Sequence, residues 1–447
     1  AALCASALAA ALSPALAAGE QTTLVYPPFG HCLGLHKVTD FHRFIYLGTR
    51  TELDDPAGIA AVKLDSNDDP STAKDDDELT VFGLNSGRCE IIFNKSIYEA
   101  SVYGECGAGR GQFRAPLGIA ADENGNVYVA DTGNDRVARL RYADGSLRWV
   151  SSFDLGDGGA PGLRRPSDID LGASGRVYVC DTGNDRVAIA SPSGELVRTI
   201  KGDEERALSL SRPAGLAVVE DGDEWFSRRR GFIAVSDLEG KRLSAFDLEG
   251  RLLHTVDATV TGSDDAGFGA LAIDYYGNVY AVDGEGGRIH KFDRDFRYVT
   301  AFGETGNGDG EFDDPRGITL WRRFGQIFVT ERDGAQYLWI GTDIENLAAE
   351  PDTLDAEAPA LELRYDLTET SRVTITLLDE EGEEVAVLVD NRRRRIGPNT
   401  ERWGGSGREL PPALGPGRYT LAIEARPTYS SGRYFQHTAQ IELVVGR

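Results

Sequence analysis

DTGNDRVA stands at Asp131–Ala138 and again, unchanged, at Asp181–Ala188, 50 residues on. Each copy follows a run that alternates in the manner of a strand, NVYVA at 126–130 and RVYVC at 176–180, and leads into another such run. Identity at a fixed spacing marks a repeat, so the period governs the reading of the whole chain. Weaker copies carry it further. A proline entry recurs as PAGIA from Pro56, PLGIA from Pro116, PSDID from Pro166, PAGLA from Pro213 and PRGIT from Pro315, with FGALA from Phe268 lacking the proline. The apolar anchors Ile59, Ile119, Ile169, Leu216, Leu271 and Ile318 are spaced by 60, 50, 47, 55 and 47 residues, which makes six units.

Within each unit, Val, Ile, Tyr and Phe alternate with small or polar residues at period two, the pattern of strands. The repeats offer no helical period. Four strands per unit at this spacing predict an all-β, six-bladed β-propeller. The sixth unit lacks its last strand, and FIYLGTRTELDDPAGI at 44–59 parallels AFGETGNGDGEFDDPRGI at 301–318. Phe44–Leu47 is therefore expected to close the ring as the outer strand of the last blade, pairing an edge that would otherwise be open.

On these residues the stretch 43–341 resembles the NHL repeat family. PLGIAADENGNVYVADTGNDRVARL (Pro116–Leu140) carries nearly the whole pattern of proline, glycine, apolar strand, Gly-Asn turn, Val-Tyr-Val-Ala-Asp and Asn-x-Arg-Val. The resemblance implies a six-bladed propeller.

The organisation expected from sequence has five parts. Residues 1–18 read as a signal-peptide remnant, apolar and Ala-rich with an Ala15-Leu16-Ala17 cleavage pattern. Residues 19–42 form an N-terminal extension and 43–347 the propeller. An acidic linker occupies 348–359 and a small antiparallel β-sandwich 360–447. LELRYDL, RVTITLLD, EEVAVLVD, GRYTLAIEAR and TAQIELVV supply the sandwich strands. With Trp403-Gly404-Gly405 and the LGPGRYTLAIEA stretch, this region resembles the immunoglobulin-like domain of the flagellar hook-capping protein. That resemblance implies a spacer, a cell-envelope anchor or a sorting signal. The expected location is exported: extracellular, cell-surface or periplasmic.

A net charge of −25 repels phosphate backbones and excludes nucleic acid as a partner. No run other than the leader is apolar enough to suggest a membrane span. Of the cysteines beyond the leader, Cys180 reads as a buried free thiol, while Cys32 has Cys89 or Cys106 as candidate partners.

Chemistry is sparse. The repeated Asp and Arg read as turn architecture, with Gly and Asn taking the positive-φ places and Arg136 and Arg186 pairing with a carboxylate. His31, Cys32, His36 and His42 cluster in sequence without a closed zinc spacing. DSNDDPSTAKDDDE at 65–78 lacks the glycine and glutamate of a calcium loop. The residues just before the entry prolines are placed at the mouth of a central channel, basic on one side (Arg114, Arg164, Arg165, Arg212) and acidic on the other (Asp54, Asp55, Asp313, Asp314). Such a split mouth suits a zwitterionic or peptide-like ligand. Two functions follow as expectations. The first is a module that binds a protein or glycan on its loop face and needs no cofactor. The second is a metal-dependent lyase or hydrolase at the channel mouth, holding calcium or zinc with Asp168, which stands where blades one and two have glycine.

Overall fold

Val127 and Val129 pack with Phe82, Phe93 and Leu140 in one apolar cluster, whereas Tyr128 and Ala130 of the same strand pack with Val177, Val179 and Ala188 in another. Both faces of the strand are thus covered by a neighbouring sheet. Every residue from Val127 to Ala130 is buried, and each large aliphatic side chain among them contributes about 1.5–3 kcal/mol. Stacking of sheets face to face is what the repeat produces. The computed structural model describes residues 21–26, 37–67, 79–96, 99–156, 161–355, 360–404, 407–408, 410, 414–429, 432 and 435–446. The expected leader, His31, Cys32, His36 and most of the acidic run at 65–78 lie outside them, as does any pairing of Cys32.

The chain divides into two units, Leu24–Ile340 and a second made of Ala1–Thr23 with Gly341–Arg447. In the first, each of sheets one to five has four antiparallel strands in sequence order. Sheet two runs Gly118–Ala121, Asn126–Asp131, Arg136–Ala143 and Ser146–Phe153, and sheet three Pro166–Leu171, Val177–Asp181, Arg186–Ala190 and Leu196–Ile200. The first strand of each sheet is its inner strand. Inner strands of successive sheets are neighbours, and that of sheet six (Gly317–Trp321) returns to that of sheet one (Pro56–Lys63). This is a β-propeller.

The glycine of the proline entry permits this central approach. A Cβ on Gly58 would lie 2.5 Å from the Leu117 carbonyl, one on Gly118 2.6 Å from the Asp168 Cα, and one on Gly317 2.4 Å from the Ala57 carbonyl. None of the three has a positive φ, so close approach of backbones is the reason for glycine.

Closure differs from expectation. Phe44–Leu47 belongs to a helix, Asp40–Leu47, not to a strand. The last sheet is instead completed by Leu24–Val25 and Lys37–Thr39, both antiparallel to Gly334–Ile340. Thr39 and His42 form a capping box at the start of the helix, which satisfies amide groups that a strand would have offered to the sheet. The parallel with 301–318 held for Asp54-Asp55-Pro56 but not upstream, where the segment is two residues shorter between Phe44 and Ile59.

Cys89 and Cys106 form a disulfide and Cys180 is a buried free thiol. In the second unit, a three-stranded sheet (Ile344–Glu350, Leu361–Leu367, Gly397–Trp403) and a five-stranded sheet share one core that includes Leu363, Tyr365, Ile375, Trp403 and Ile423. It is a β-sandwich, antiparallel except where Thr353–Leu354 runs parallel to His437–Val445. The boundary moves. Ile344–Glu350 begins buried and then alternates half-buried and exposed residues as a strand of this unit, so its start lies at Gly341 and residues 348–350 of the expected linker are sheet.

Candidate functional site

Asp131 and Asp181 end the second strand of sheets two and three and are fully buried. Asp131 Oδ1 accepts the Arg114 N–H at 2.7 Å, while Oδ2 accepts from Asn134 Nδ2 at 2.8 Å and Arg136 Nε at 2.7 Å. Asp181 repeats the set with Arg164, Asn184 and Arg186. The device recurs with other residues: Asn85 holds the Asp54 amide, Asp237 that of Ser211 and Glu331 that of Asp313. In sheets two and three one carboxylate thus pins the entry loop, the turn and an arginine together, and in sheet four Asp237 holds the loop and Arg242. The positive φ falls on Asp135 (54°) and Asp185 (52°) rather than on Gly or Asn. Gly133 and Gly183 are there because the stems of Arg114 and Arg164 lie on them, 2.6 Å from where a Cβ would stand.

The pinned loops carry the four arginines. Asp135 Oδ1 accepts the Arg165 N–H and Asp185 Oδ1 that of Arg212, each at 2.7 Å, so the turn of one sheet fixes the loop of the next. Arg114, Arg164 and Arg165 are exposed, and their guanidinium groups have no partner among the described residues. Arg212 pairs with Glu239. The acidic side is different. Arg316 pairs with Asp55 and Asp314, and Arg332 lies 3.6 Å from both Asp313 and Asp314. The basic arc is open and much of the acidic arc is already neutralised by the chain itself.

None of these eight residues lines the cavity of about 600 Å³ formed by the inner strands. That cavity runs along the inner strands from Gly58, Ile119, Asp168 and Gly317 to the turns after them, including Asp122–Asn124, Gly172–Gly175 and Arg322. Asp168 and Asp170 sit on it side by side on the inner strand of sheet three. Asp168 Oδ2 accepts from Leu216 N at 2.8 Å and Asp170 Oδ2 from Val218 N at 2.7 Å, while Oδ1 of each accepts from the residue that follows. They bridge two inner strands where the usual glycine contact is missing. Burial pushes the Asp168 carboxyl up to about 7 and that of Asp170 to about 6; the Arg322 guanidinium pulls Asp170 down again. Arg322 itself spans three sheets, donating to Ile273 O at 3.1 Å, to Val218 O at 2.8 Å and to Asp223 at 2.5 Å.

Among the described residues no three His, Cys, Asp or Glu side chains come together to hold a metal ion. The described histidines serve locally: His42 caps the helix, His254 stacks on Phe296, His290 meets Asp283 at 3.3 Å and His437 accepts from Ile344 N. Asp170, Arg322 and Glu331 were not legible as site residues. The second Asp of PSDID was the available signal for Asp170, whereas Arg322 reveals itself only through contacts about 50 and 100 residues away in sequence.

The NHL repeat model matches residues 113–140 and 163–190. No sequence among the curated proteins matches the chain. Among solved structures, a streptogramin B lyase is similar at 15% identity and a TM-score of 0.42, covering 65% of this chain and 94% of that one. A gluconolactonase from Xanthomonas campestris is similar at 16% identity and 0.45, covering 65% and 87%. Neither likeness transfers a residue or an activity. No helix among the described residues is long and apolar enough to cross a membrane. The chain thus carries two NHL repeats within a β-propeller.

Proposed function

We propose that this protein is an exported binding module: a closed six-bladed propeller whose entry loops engage an acidic segment of a partner protein, carried with an immunoglobulin-like C-terminal unit that serves as spacer, envelope anchor or sorting domain. One observation carries the reading. Arg114, Arg164 and Arg165, unpaired among the described residues, project from loops that Asp131, Asp181 and Asp135 hold in place, in a chain whose net charge is −25. Pre-organised arginine is suited to carboxylate recognition, since its planar fork meets both oxygens and its backbone loses no further freedom on binding. With Asp55 and Asp314 already paired to Arg316, the arc favours an anionic group over the zwitterion expected from sequence. The Cys89–Cys106 bridge and the Ala-rich leader pattern support export.

The test is titration of the purified protein with a fluorescent oligoglutamate peptide and, in parallel, a uronic-acid oligosaccharide. The wild type binds the peptide with an affinity that falls as salt rises, and Arg114→Ser/Arg164→Ser/Arg165→Ser lowers that affinity about tenfold or more. Equal binding by wild type and variant removes the reading; preference for the saccharide shifts the partner to a glycan.

A second reading, a metal-dependent lyase or hydrolase in the channel, is favoured by the carboxyl of Asp168 at about 7, poised to exchange a proton near neutrality. Elemental analysis for calcium and zinc, with melting repeated after chelation, decides it. A bound metal that stabilises the fold supports the enzyme, and its absence leaves the binding module.

A further inference from the structure

The arginine that completes the repeated carboxylate pin is missing from sheet six. In sheet two, the Arg136 guanidinium meets Asp131 and the carbonyls of Ala108 (2.9 Å), Gly109 (3.1 Å) and Gln112 (2.8 Å). Arg186 with Asp181 and Arg242 with Asp237 do the same work in sheets three and four, and His290 stands beside Asp283 in sheet five. Sheet one has the neutral Asn85 and requires no cation. Sheet six has a buried carboxylate, Glu331, and opposite it Gly334, which takes the register position that Arg136 takes opposite Asp131.

Gly334 cannot become arginine. Its Cβ would stand 2.2 Å from the carbonyl of Val38, because the N-terminal strand Lys37–Thr39 lies there. That strand and its neighbour replace the missing group only in part. GETGNGDGEFDDP at 303–315 aligns with GECGAGRGQFRAP at 104–116, so Asn307 and Glu311 match Ala108 and Gln112. Lys37 Nζ donates to Asn307 O at 3.0 Å and Gln336 Nε2 to Glu311 O at 2.8 Å, two of the three carbonyl contacts that Arg136 makes. The carboxylate contact is not replaced. Glu331 is 3% exposed; its Oε2 accepts from Asp313 N at 2.8 Å, and its Oε1 has no partner among the described residues. Burial, the largest influence on this carboxyl, pushes it up, and the Asp313 N–H, the Gln336 side chain and the charge of Lys37 draw it only part of the way back.

Beside Glu331 lies a cavity of about 500 Å³, lined also by Lys37, Phe41, Asn307, Asp313 and Asp333. We propose that this cavity is a guanidinium-binding site, filled by an arginine side chain of a partner or by a small guanidinium compound. The ligand would restore to sheet six the pairing that sheets two to four make internally. The carboxylates of Glu331 and Asp333, with that of Asp313 3.6 Å from Arg332, outweigh the one lysine of the wall, and Phe41 offers an apolar wall to the ligand's stem. A planar fork can meet the carboxylate and a neighbouring acceptor at once, which a point-like ammonium cannot. The site does not depend on the arginine arc having a partner.

The experiment is calorimetric titration of the full chain with agmatine, with n-butylamine as the ammonium counterpart and with the tripeptide Gly-Arg-Gly. Agmatine binds one per chain and butylamine about tenfold more weakly or not at all. Glu331→Gln lowers agmatine affinity about tenfold or more, and if that variant fails to fold, Asp333→Asn on the exposed rim lowers it several-fold. Binding of the tripeptide but not agmatine assigns the site to a partner's arginine, and binding of both admits small compounds as well. The triple arginine variant keeps agmatine binding, which separates this site from the arc. No binding of either guanidinium probe, equal binding of butylamine, or wild-type affinity in a folded Glu331→Gln overturns the proposal.

Discussion

Asp168 is where the repeat breaks its own rule. Glycine at this place in sheets one, two, four and six lets inner strands touch; here a carboxylate reaches across to Leu216 instead. Asp168 stands out in sequence because PSDID interrupts PLGIA and PAGLA, but its partner lies 48 residues away and no local pattern points to it. Burial lifts its carboxyl to about 7 from an ordinary 3.8, against the opposing pull of the Leu216 and Ile169 N–H groups. The folded chain therefore keeps this proton to a higher pH than the unfolded chain does. Its contribution to stability is fully present below pH 3.8 and is lost as the pH rises towards about 7. Asp168→Asn removes the charge and keeps the Leu216 bond through its amide oxygen. Relative to wild type, the variant gains stability as pH rises from acid to neutral, by at most about 1.4 kcal/mol per pH unit, in denaturant titrations across that range. Asp170, raised to about 6, adds a slope of the same sign and the same limit that ends at a lower pH. A difference between the two proteins that does not vary with pH would show that Asp168 is ionised in the fold.

At the scale of the element, the entry glycine was legible as part of a motif but its reason was not. Read alone, a proline followed by glycine suggests a turn. The structure makes Gly118 the first residue of the extended inner strand, where a Cβ would meet the Asp168 Cα at 2.6 Å and the Ile169 N at 2.9 Å. Both obstacles are backbone, so neither can rotate away. Gly118→Ala should cost about 1–3 kcal/mol, as overpacking does, and lower the melting temperature of the propeller unit. Gly415→Ala in the second unit meets nothing within 4 Å and has no positive φ, so it serves as the control, staying within about 0.5 kcal/mol. Equal melting of the two variants would mean that the inner strands relax apart freely. The second strands of the sheets were readable because both of their faces are buried, giving apolar runs such as VYVAD. The strands Ile344–Glu350 and Gly397–Trp403 escaped notice since half of each faces solvent with Glu, Asn or Arg, and the signal is diluted.

At the scale of the whole molecule, the last sheet was legible as incomplete, but the segments that add to it were not. An incomplete last sheet demanded an N-terminal strand, and one is present. FIYL looked more strand-like than Lys37-Val38-Thr39, yet the capping residues Thr39 and His42 commit it to a helix that leaves Phe41, Phe44 and Ile45 more than half exposed. The clasp can be opened by one change. At Gly334→Val the new Cβ falls 2.2 Å from the Val38 carbonyl, which must withdraw together with its strand. Lys37–Thr39 would then detach while Leu24–Val25 stays paired to Trp339 and Ile340 further along, so the loss is confined to one end of the outer edge. Calorimetry should show the propeller transition lowered, at a cost of about 1–3 kcal/mol, with that of the C-terminal unit unchanged. Amide exchange should quicken from Gly334 to Gln336, where the edge loses its partner, and remain slow at Ile327 and Val329, whose strand is still covered on both sides. The same variant should also weaken agmatine binding, because Lys37 and Phe41 leave the cavity wall with the strand. Unchanged exchange at Ala335 and Gln336 would refute the clasp as the element that closes the ring, and would place its closure in contacts between inner strands alone.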